Sequence, residues 1–256
     1  MKLTRRAAMI TGMTGLAMLG TRISRGFAQE EGGDTVSLGE GGLTVYPVSH
    51  ASVVLEAGDT VIYVDPVGGA GPYEGFPEPD LILITHEHSD HYEPETLEAL
   101  VADETQMITN PAVFDMLPDS LRDSASQLAN GESTEVAGIG IEAIPAYNTT
   151  EDRLQYHPEG RDNGYVLSLM GGRVYIAGDT EDIPEMRALE DIDLAFVPMN
   201  LPYTMTVEQA ASAVAEFAPT VVYPYHYRGS DVERFKSLVE EESNDIEVRL
   251  AGWYDG

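Results

Sequence analysis

The most informative stretch of the sequence is Thr85-His86-Glu87-His88-Ser89-Asp90-His91. It follows the apolar run Leu81–Ile84, which is typical of a β-strand covered on both faces, and it precedes a helical pattern that begins near Pro94. Three imidazoles and a carboxylate so close together predict a metal site. Because residues two apart in an extended turn can face one point while Asp90 and His91 face another, the spacing favours two metal ions.

The surrounding sequence predicts an α/β protein. Short β-branched or alternating runs predict strands upstream at Leu43–Pro47, Ser52–Ala57 and Thr60–Val64. The downstream predictions are helices over Pro94–Ala102, from Pro111, over Val207–Phe217 and over Asp231–Glu240, and strands at Met107–Thr109, Glu135–Val136, Ile139–Ile144, Gly164–Met170, Arg173–Ala177, Leu194–Val197, Val221–Tyr223 and Glu247–Leu250. Hairpins mixed with strand-helix-strand units predict two mixed sheets with helices outside them.

The composition of the 256-residue chain excludes several function classes. It contains no cysteine, so a metal must be held by histidine, carboxylate or amide groups, and a thiol nucleophile is excluded. The 14 Lys and Arg residues against 44 Asp and Glu give a formal net charge of -30. Such a surface repels phosphate backbones and anionic lipids, which argues against nucleic-acid and peripheral-membrane partners.

Residues 1–28 have the pattern of an export signal. Arg5 and Arg6 precede a short apolar run, and a small-residue stretch ends at Ala28. This resembles a twin-arginine signal, so we expect export to the periplasm or the exterior, with 29–256 as the functional domain. The apolar run is too short for a membrane span, which needs about 20 residues. The alternatives are a retained anchor and a disordered basic tail.

The expected mature chain is more acidic still. Removal of residues 1–28 takes away five positive charges and no negative one, so the formal net charge falls from -30 to -35. Lys236 is then the only lysine. This composition is similar to that of proteins from salt-loving organisms, in which dense carboxylates stay hydrated and salt screens their repulsion. The alternative is an acidic secreted protein of an ordinary organism.

The histidine-rich stretch, with its H-x-H-x-D-H pattern after an apolar strand, resembles the signature of the metallo-β-lactamase superfamily. Two later segments match in order. Gly178-Asp179-Thr180 resembles the element whose aspartate bridges two metals, and His226 stands in the place of the last histidine ligand. The resemblance implies an αββα sandwich of two mixed β-sheets flanked by helices, with the metals at one edge between the sheets.

Upstream, two residues resemble supporting parts of the same site. Asp65, in Tyr63-Val64-Asp65-Pro66, corresponds to an aspartate that orients the ligating histidines. His50 matches the opening of a branch that includes ascorbate-phosphate lactonase and the phospholipase D acting on N-acyl ethanolamine lipids. We expect His50 near the site as a support or a substrate contact, with simple core packing as the alternative.

One position departs from the superfamily pattern. Asn148 stands where a third histidine is expected for the first metal, and His157 follows nine residues later. Imidazole is a better zinc ligand than a carboxamide, so we favour His157 as the ligand. The alternatives are Asn148 or water as the ligand, with His157 lining the pocket and the first metal held weakly.

The resemblance implies two divalent ions, with zinc favoured and manganese or iron also compatible. The implied ligands are His86, His88, Asp90, His91, His157, Asp179 and His226, of which Asp90 and Asp179 are also the implied catalytic residues. The expected pocket or supporting residues are Asp65, His50, Asn148, Tyr165, Tyr203 and Arg228, with Tyr147, Asn200, Tyr225 and Tyr227 as further pocket candidates. Arg228 and Arg161 are the candidate anchors for an anionic substrate.

The implied activity is hydrolysis of a small-molecule ester, lactone or phosphodiester by a hydroxide that bridges two metals. No serine or cysteine nucleophile is needed for this reaction. The alternative is a metal-binding protein with little or no turnover, because the usual third histidine is replaced.

Overall fold

The computed structural model describes residues 32–254. The predicted export signal over residues 1–28 lies outside the described residues. Within them, no helix is long and apolar enough to span a membrane.

The described residues form two seven-stranded sheets. The first sheet contains β1 (Asp34–Leu38), β2 (Gly41–Ser49), β3 (Ser52–Ala57), β4 (Thr60–Val64), β5 (Leu81–Ile84), β6 (Gln106–Thr109) and β7 (Ala125–Gln127). The second contains β8 (Ser133–Val136), β9 (Ile139–Ala146), β10 (Asp162–Leu169), β11 (Gly172–Ile176), β12 (Leu194–Pro198), β13 (Val221–Tyr225) and β14 (Glu247–Val248). Strands neighbour each other in chain order in both sheets.

Both sheets are mixed, and in both the pairing changes from antiparallel to parallel after the fourth strand. Strands β1 to β4 pair antiparallel, and β4 to β7 pair parallel. Likewise, β8 to β11 pair antiparallel and β11 to β14 pair parallel. The parallel half of each sheet therefore presents several strand ends at one edge, where loops can converge.

Helices cover the outer faces of the sheets. They are α1 (Pro94–Leu100), α2 (Pro111–Met116), α3 (Asp119–Arg122), α4 (Pro184–Arg187), α5 (Val207–Phe217) and α6 (Val232–Glu242). The first three share an apolar cluster with the outer face of the first sheet, and the last three share one with the second sheet. The predicted αββα sandwich is confirmed.

The largest apolar cluster lies between the two sheets. Leu55, Ile62 and Leu83 of the first sheet meet residues such as Leu167 and Phe196 of the second, all fully buried. Full burial of one such side chain contributes about 1.5–3 kcal/mol. All four residues of β5 are buried, as the apolar run predicts, so the strand that leads into the histidine-rich stretch is fixed on both faces.

Helix α5 shows how local sequence sets its ends. The Thr206 side chain accepts a hydrogen bond from the backbone of Gln209, whose side chain accepts one from the Thr206 backbone. This capping box satisfies two free N–H groups at the helix start. The helix ends where Ala218 adopts a left-handed backbone with φ of 45°. The predicted bounds of this helix, Val207–Phe217, agree with the structure.

The sequence prediction missed short elements at the edges. Strand β7 has three half-buried or exposed residues, so it carries no apolar pattern. Strand β1 alternates correctly but was not predicted, and it pairs only with β2. Helices α3 and α4 have four residues each, too few to show helical periodicity.

Candidate metal centre

Strand ends bring the predicted ligands to one edge of the sandwich. Asp65 directly follows β4, and the histidine-rich stretch follows β5. On the second sheet, Asp179 follows β11 and His226 follows β13. Because the carboxyl ends of parallel strands lie at the same edge of a sheet, residues far apart in sequence become neighbours here.

The first group of side chains is His86, His88 and His157. Their candidate ligand atoms all lie within 4.8 Å of one another. His86 Nε2 is 3.1 Å from His88 Nδ1. His86 and His157 are fully buried, whereas His88 is half-buried and reaches the cavity surface.

The second group surrounds Asp179. Its Oδ1 is 3.5 Å from His91 Nε2, and its Oδ2 is 3.2 Å from His226 Nε2. Asp90 Oδ2 lies 3.5 Å from the same His226 nitrogen. The Oδ2 atom of Asp179 is also 3.4 Å from His157 Nε2. The Asp179 carboxylate thus lies between the first group and the second.

Neighbouring groups fix which ring nitrogen of each histidine faces inward. Asp65 Oδ2 is 2.8 Å from His91 Nδ1, and Asp162 Oδ2 is 3.0 Å from His157 Nδ1, so both Nδ1 atoms donate. Thr85 Oγ1 donates to Asp65 and therefore accepts from His86 Nδ1, 3.0 Å away. In the neutral form of these three rings, Nε2 carries the lone pair and faces the centre.

Several of these inward atoms have no hydrogen-bond partner within the described residues. They are His91 Nε2, His157 Nε2, His226 Nδ1 and Nε2, and Asp179 Oδ1, all buried. A buried polar atom without a partner costs about 1–3 kcal/mol, so several of them aimed at one place need a further partner. Imidazole nitrogens and carboxylate oxygens are the ligands of zinc and similar divalent cations. The residues present therefore fit such ions.

Burial and neighbouring charges set the protonation of the ligands. Burial, together with the adjacent histidines, lowers the pKa of His86 well below its ordinary value, which keeps the ring neutral. Burial also lowers the pKa of His91, but Asp179 and Asp65 outweigh it and raise the pKa to about 9. For Asp179, burial raises the pKa, and the surrounding histidines outweigh this and lower it, which favours the carboxylate.

Sequence comparison now decides the family. A family model described as "Beta-lactamase superfamily domain" matches residues 44–226. The chain belongs to the metallo-β-lactamase superfamily.

Two relatives within this superfamily are named as metal-dependent hydrolases. The UPF0173 metal-dependent hydrolase of Thermococcus onnurineus is 32% identical over 197 residues, which cover 73% of this chain and 86% of that protein. The corresponding protein of Pyrococcus abyssi is 28% identical over 216 residues, which cover 79% and 94%. The chain is therefore an enzyme of the metal-dependent hydrolase class.

A solved structure agrees with both the fold and the family. A protein of Parabacteroides distasonis, described as a metal-dependent hydrolase, is 43% identical and superposes with a TM-score of 0.77. The match covers 86% of this chain and 97% of that one.

The structure distinguishes between the two candidates for the third position of the first group. Asn148 uses its side-chain amide to donate to the backbone carbonyls of Arg153 and Tyr203. Its backbone N–H donates to the carbonyl of His157 at 2.8 Å. Asn148 thus holds the loop that carries His157, and its Oδ1 is buried without a hydrogen-bond partner within the described residues. His157 has a candidate ligand atom within 4.8 Å of those of His86 and His88, so we propose His157 as their partner.

Arg161 does not have the predicted role of a substrate anchor. Its guanidinium donates to both oxygens of Asp162 at 2.6 and 2.8 Å and lies 2.7 Å from a Glu87 oxygen. A planar guanidinium matches a carboxylate in this way and is then occupied. Arg161 therefore holds Asp162, which in turn holds His157. Sequence analysis missed Asp162, although its place at the first position of β10 and after His157 is a usable signal.

Asp65 has the supporting position that the superfamily resemblance implies. Its Oδ1 accepts from the Thr85 backbone at 2.8 Å, and its Oδ2 accepts from the Thr85 hydroxyl as well as from His91. The carboxylate is fully buried. It therefore ties the end of β4 to the first residues of the histidine-rich stretch.

A cavity of about 680 Å³ opens above the two groups. It is lined by His50, His88, Ser89, Asp90, Tyr156, His157, Asp179, Asn200, Tyr203, His226 and Arg228. The predicted pocket residues Tyr203, Arg228, Asn200 and His50 thus lie on its wall. Tyr156 and Tyr203 meet edge to face, with ring centroids 5.0 Å apart.

Other predicted pocket residues lie elsewhere. Tyr165 is fully buried between the sheets and donates to the Ile84 carbonyl at 2.8 Å, so it is not a substrate contact. Tyr225 is likewise in the core between the sheets. Tyr147 donates to Glu185, and Tyr227 donates to the Ala251 carbonyl. Side chains alternate along a strand, and the alternation turns Tyr165 and Tyr225 inward.

Three residues of this centre have a strained backbone. His50, Asp65 and His226 have φ values of 49°, 44° and 44°, in the left-handed region that favours glycine. Each such residue costs about 1–3 kcal/mol, and such strain commonly marks functional sites. The rest of the fold therefore holds these three side chains in place at a cost to its own stability.

Proposed function

We propose that the chain hydrolyses a small-molecule ester, lactone or phosphodiester at a dinuclear metal centre. The observation that carries this proposal is the convergence of unpaired buried atoms from two groups on the single carboxylate of Asp179. One group alone would suit a mononuclear site. A carboxylate with two oxygens between two groups suits a pair of ions.

The residues divide naturally between two ions. His86, His88 and His157 would hold the first, and Asp90, His91 and His226 the second, with Asp179 shared. We propose zinc as the metal, with manganese and iron also compatible with this set of nitrogen and oxygen ligands. Two such ions lower the pKa of water toward about 7 and polarise a substrate oxygen, which supplies the nucleophile and the Lewis acid.

The chain's own residues position these parts. Asp65 and Asp162 accept the Nδ1 protons of His91 and His157, so the neutral form of each ring carries its lone pair on the inward Nε2, where a metal ion would displace any proton. Full burial of these histidines excludes water from the inner side of the centre. The substrate must therefore enter from the cavity side, past Ser89 and Asn200.

Arg228 favours an anionic substrate. It is the one lysine or arginine among the residues that line the described cavity. Its guanidinium lies 5.5 Å from the centre of the Tyr254 ring, which holds it beside the centre. In a chain of net charge -30, a cation at this position offers local attraction for a carboxylate or phosphate.

The Arg228→Ala variant tests this substrate preference. We expect KM for an anionic lactone or phosphodiester to rise about tenfold, which corresponds to one lost exposed charge contact of about 1.4 kcal/mol. The kcat value should change little, because Arg228 is not among the metal ligands. Steady-state kinetics with matched anionic and neutral esters would check this. An equal rise in KM for the anionic and the neutral substrate would contradict this role of Arg228.

We also propose that the protein is exported by a twin-arginine route and acts on its substrate outside the cytoplasm. The support is the sequence of residues 1–28 together with the acidic composition. Export in the folded state would let the metals bind before transport. Fractionation of cells carrying the wild type or an Arg5→Lys, Arg6→Lys variant tests it, and retention of the variant in the cytoplasm is the expected result.

Metal content tests the centre itself. We expect the purified full chain to hold two equivalents of metal by elemental analysis, and His86→Ala and His157→Ala each to hold fewer. Hydrolysis of lactone and phosphodiester panels should fall in parallel. One equivalent in the wild type, unchanged by His157→Ala, would contradict the dinuclear assignment. Two equivalents without hydrolysis of any panel member would favour a metal-binding protein without turnover.

A further inference from the structure

His50 touches the centre but has no part in the proposal above. It occupies the tight turn between β2 and β3, in the left-handed conformation already described. Its backbone carbonyl accepts a hydrogen bond from the N–H of His226 at 3.0 Å. Its ring centre is 3.8 Å from that of His226. The turn is thus fixed directly to a candidate ligand of the second ion.

Geometry alone allows His50 to be a ligand. Its ring, Asp90 and His226 offer ligand atoms that all lie within 4.8 Å of one another. The Nε2 atom of His50 is 3.2 Å from Asp90 Oδ2. That nitrogen either carries a proton and donates to Asp90, or carries a lone pair and binds a cation. The proton position decides between the two roles.

Hydrogen bonds at Tyr254 decide the proton position. Its hydroxyl oxygen is 3.1 Å from the backbone nitrogens of both Tyr227 and Arg228, and 2.6 Å from His50 Nδ1. The two backbone N–H groups can only donate, so they use both lone pairs of the oxygen. The one hydroxyl proton must then point to His50 Nδ1, which accepts it.

A neutral imidazole carries one proton, so acceptance at Nδ1 places that proton on Nε2. His50 Nε2 therefore donates to Asp90 and has no lone pair for a metal. This is the reverse of His91 and His157, whose Nδ1 atoms donate to carboxylates, so that their neutral rings carry the lone pair on Nε2.

We propose that Tyr254 and His50 form a positioning pair that orients the Asp90 carboxylate toward the second ion, with His50 excluded from the ligand set. The proposal rests on the proposed function only in taking Asp90 as a ligand of that ion. Asp90 needs such a support because its side chain is 48% exposed and no other hydrogen bond to it is present within the described residues. His50 thus serves Asp90 as a hydrogen-bond donor.

The tautomer can be measured without any metal. Long-range proton–nitrogen NMR correlations on the full, metal-free chain with ¹⁵N-labelled histidine report which nitrogen carries the proton, and the His50→Gln variant identifies the His50 signals. We expect His50 protonated at Nε2 in the wild type and a loss of that preference in Tyr254→Phe. A wild-type His50 protonated at Nδ1 would overturn the proposal.

Zinc titration against a competing chelator tests the consequence. Loss of an outer partner of a metal ligand typically weakens metal binding about 10–100-fold, so Tyr254→Phe and His50→Ala should weaken the second zinc equivalent by that factor. His50→Gln should restore binding in part, because its amide can still donate to Asp90. Restoration by glutamine is not expected if His50 is itself a ligand.

Tyr63→Phe is the matched control. It also removes a buried tyrosine hydroxyl, which donates to the Pro77 carbonyl at 2.9 Å and has no contact with His50. Its zinc affinity should equal that of the wild type. If the affinity for the second zinc equivalent is unchanged in both Tyr254→Phe and His50→Ala, the positioning role is overturned. A wild type with no second equivalent contradicts the proposed function instead, and the NMR result then still tests the tautomer.

Discussion

The two sides of Asp179 are built in different ways. On one side, His226 directly follows β13, Asp90 and His91 lie in the short stretch between β5 and α1, and Asp65, at the end of β4, supports His91. On the other side, His157 lies in the long connection between β9 and β10 and is held by side-chain contacts. The first ion also takes His86 and His88, which follow β5, so the comparison teaches that both ions depend on strand ends and the first depends in addition on a loop that is fixed by charge.

That loop is fixed at two points. At its start, the fully buried carboxylate of Glu181 accepts hydrogen bonds from Thr149 and Thr150 and lies 2.6 Å from Arg153 Nη1. At its end, Arg161 and Asp162 hold the His157 ring. Both points use carboxylates, so the loop position depends on their charge.

Removal of the shared carboxylate should erase the difference between the two sides. In Asp179→Asn, one oxygen is replaced by an amide nitrogen that cannot ligate a cation, and the negative charge is lost. We expect both metal equivalents to weaken and hydrolysis to fall below detection. Elemental analysis and kinetics check this, with circular dichroism as the folding control. Retention of one tight equivalent would show that Asp179 serves a single ion.

Loss of the Glu181 carboxylate, which holds the start of the loop, should affect only the first ion. Glu181→Ala leaves Arg153 and four loop donors without their acceptor, and breaking a buried pair of this kind costs about 3–5 kcal/mol. We expect a lower free energy of unfolding in urea and weaker binding of the first ion, with the second ion retained. A variant whose stability equals that of the wild type would show that the loop does not need this contact.

A matched pair of variants compares the supports directly. Asp162→Asn removes the charge behind His157, and Asp65→Asn removes the charge behind His91. Outer partners of ligating histidines contribute about 10–100-fold to metal affinity, so Asp162→Asn should weaken the first ion by that factor and spare the second. Asp65→Asn should weaken the second ion by that factor and the first ion less, because Thr85 links Asp65 to His86. Stepwise zinc titration separates the two ions. Equal loss of both ions in either variant would mean that the two sides are coupled.

The smallest effect is expected for a substitution outside both groups of metal ligands. Lys236 lies 3.8 Å from Glu240 on the exposed surface of α6. Exposed pairs of this kind contribute about 0–1 kcal/mol. Lys236→Ala should therefore change stability very little and leave metal content and kinetics unchanged. A measurable change in metal affinity would show that a surface charge outside both groups of ligands affects the metal centre.

The sequence was most informative where local pattern and tertiary structure agree. Strands β3 and β4 have the bounds predicted from alternation, and β5 was visible because both of its faces are buried. The histidine-rich stretch could be recognised because its members are consecutive. For such residues, the sequence signal that identifies them lies within a few neighbouring positions.

The contacts that were not predicted join residues far apart in the chain. Glu181 meets Thr150 across 31 positions, and Tyr254 meets His50 across 204. No local pattern encodes such pairs. The expectation for Tyr165 was wrong for a related reason: being next to a site in sequence does not tell which sheet face a side chain occupies.

The unpaired nitrogens around Asp179 also have a consequence for how long the protein survives. Unfolding separates residues that come from both sheets, so a cation would bind the native chain far better than the unfolded one. By mass action, each tenfold rise in free metal above the dissociation constant then adds about 1.4 kcal/mol to the free energy of unfolding. Resistance to heat and proteases would therefore follow the metal supply of the protein's surroundings.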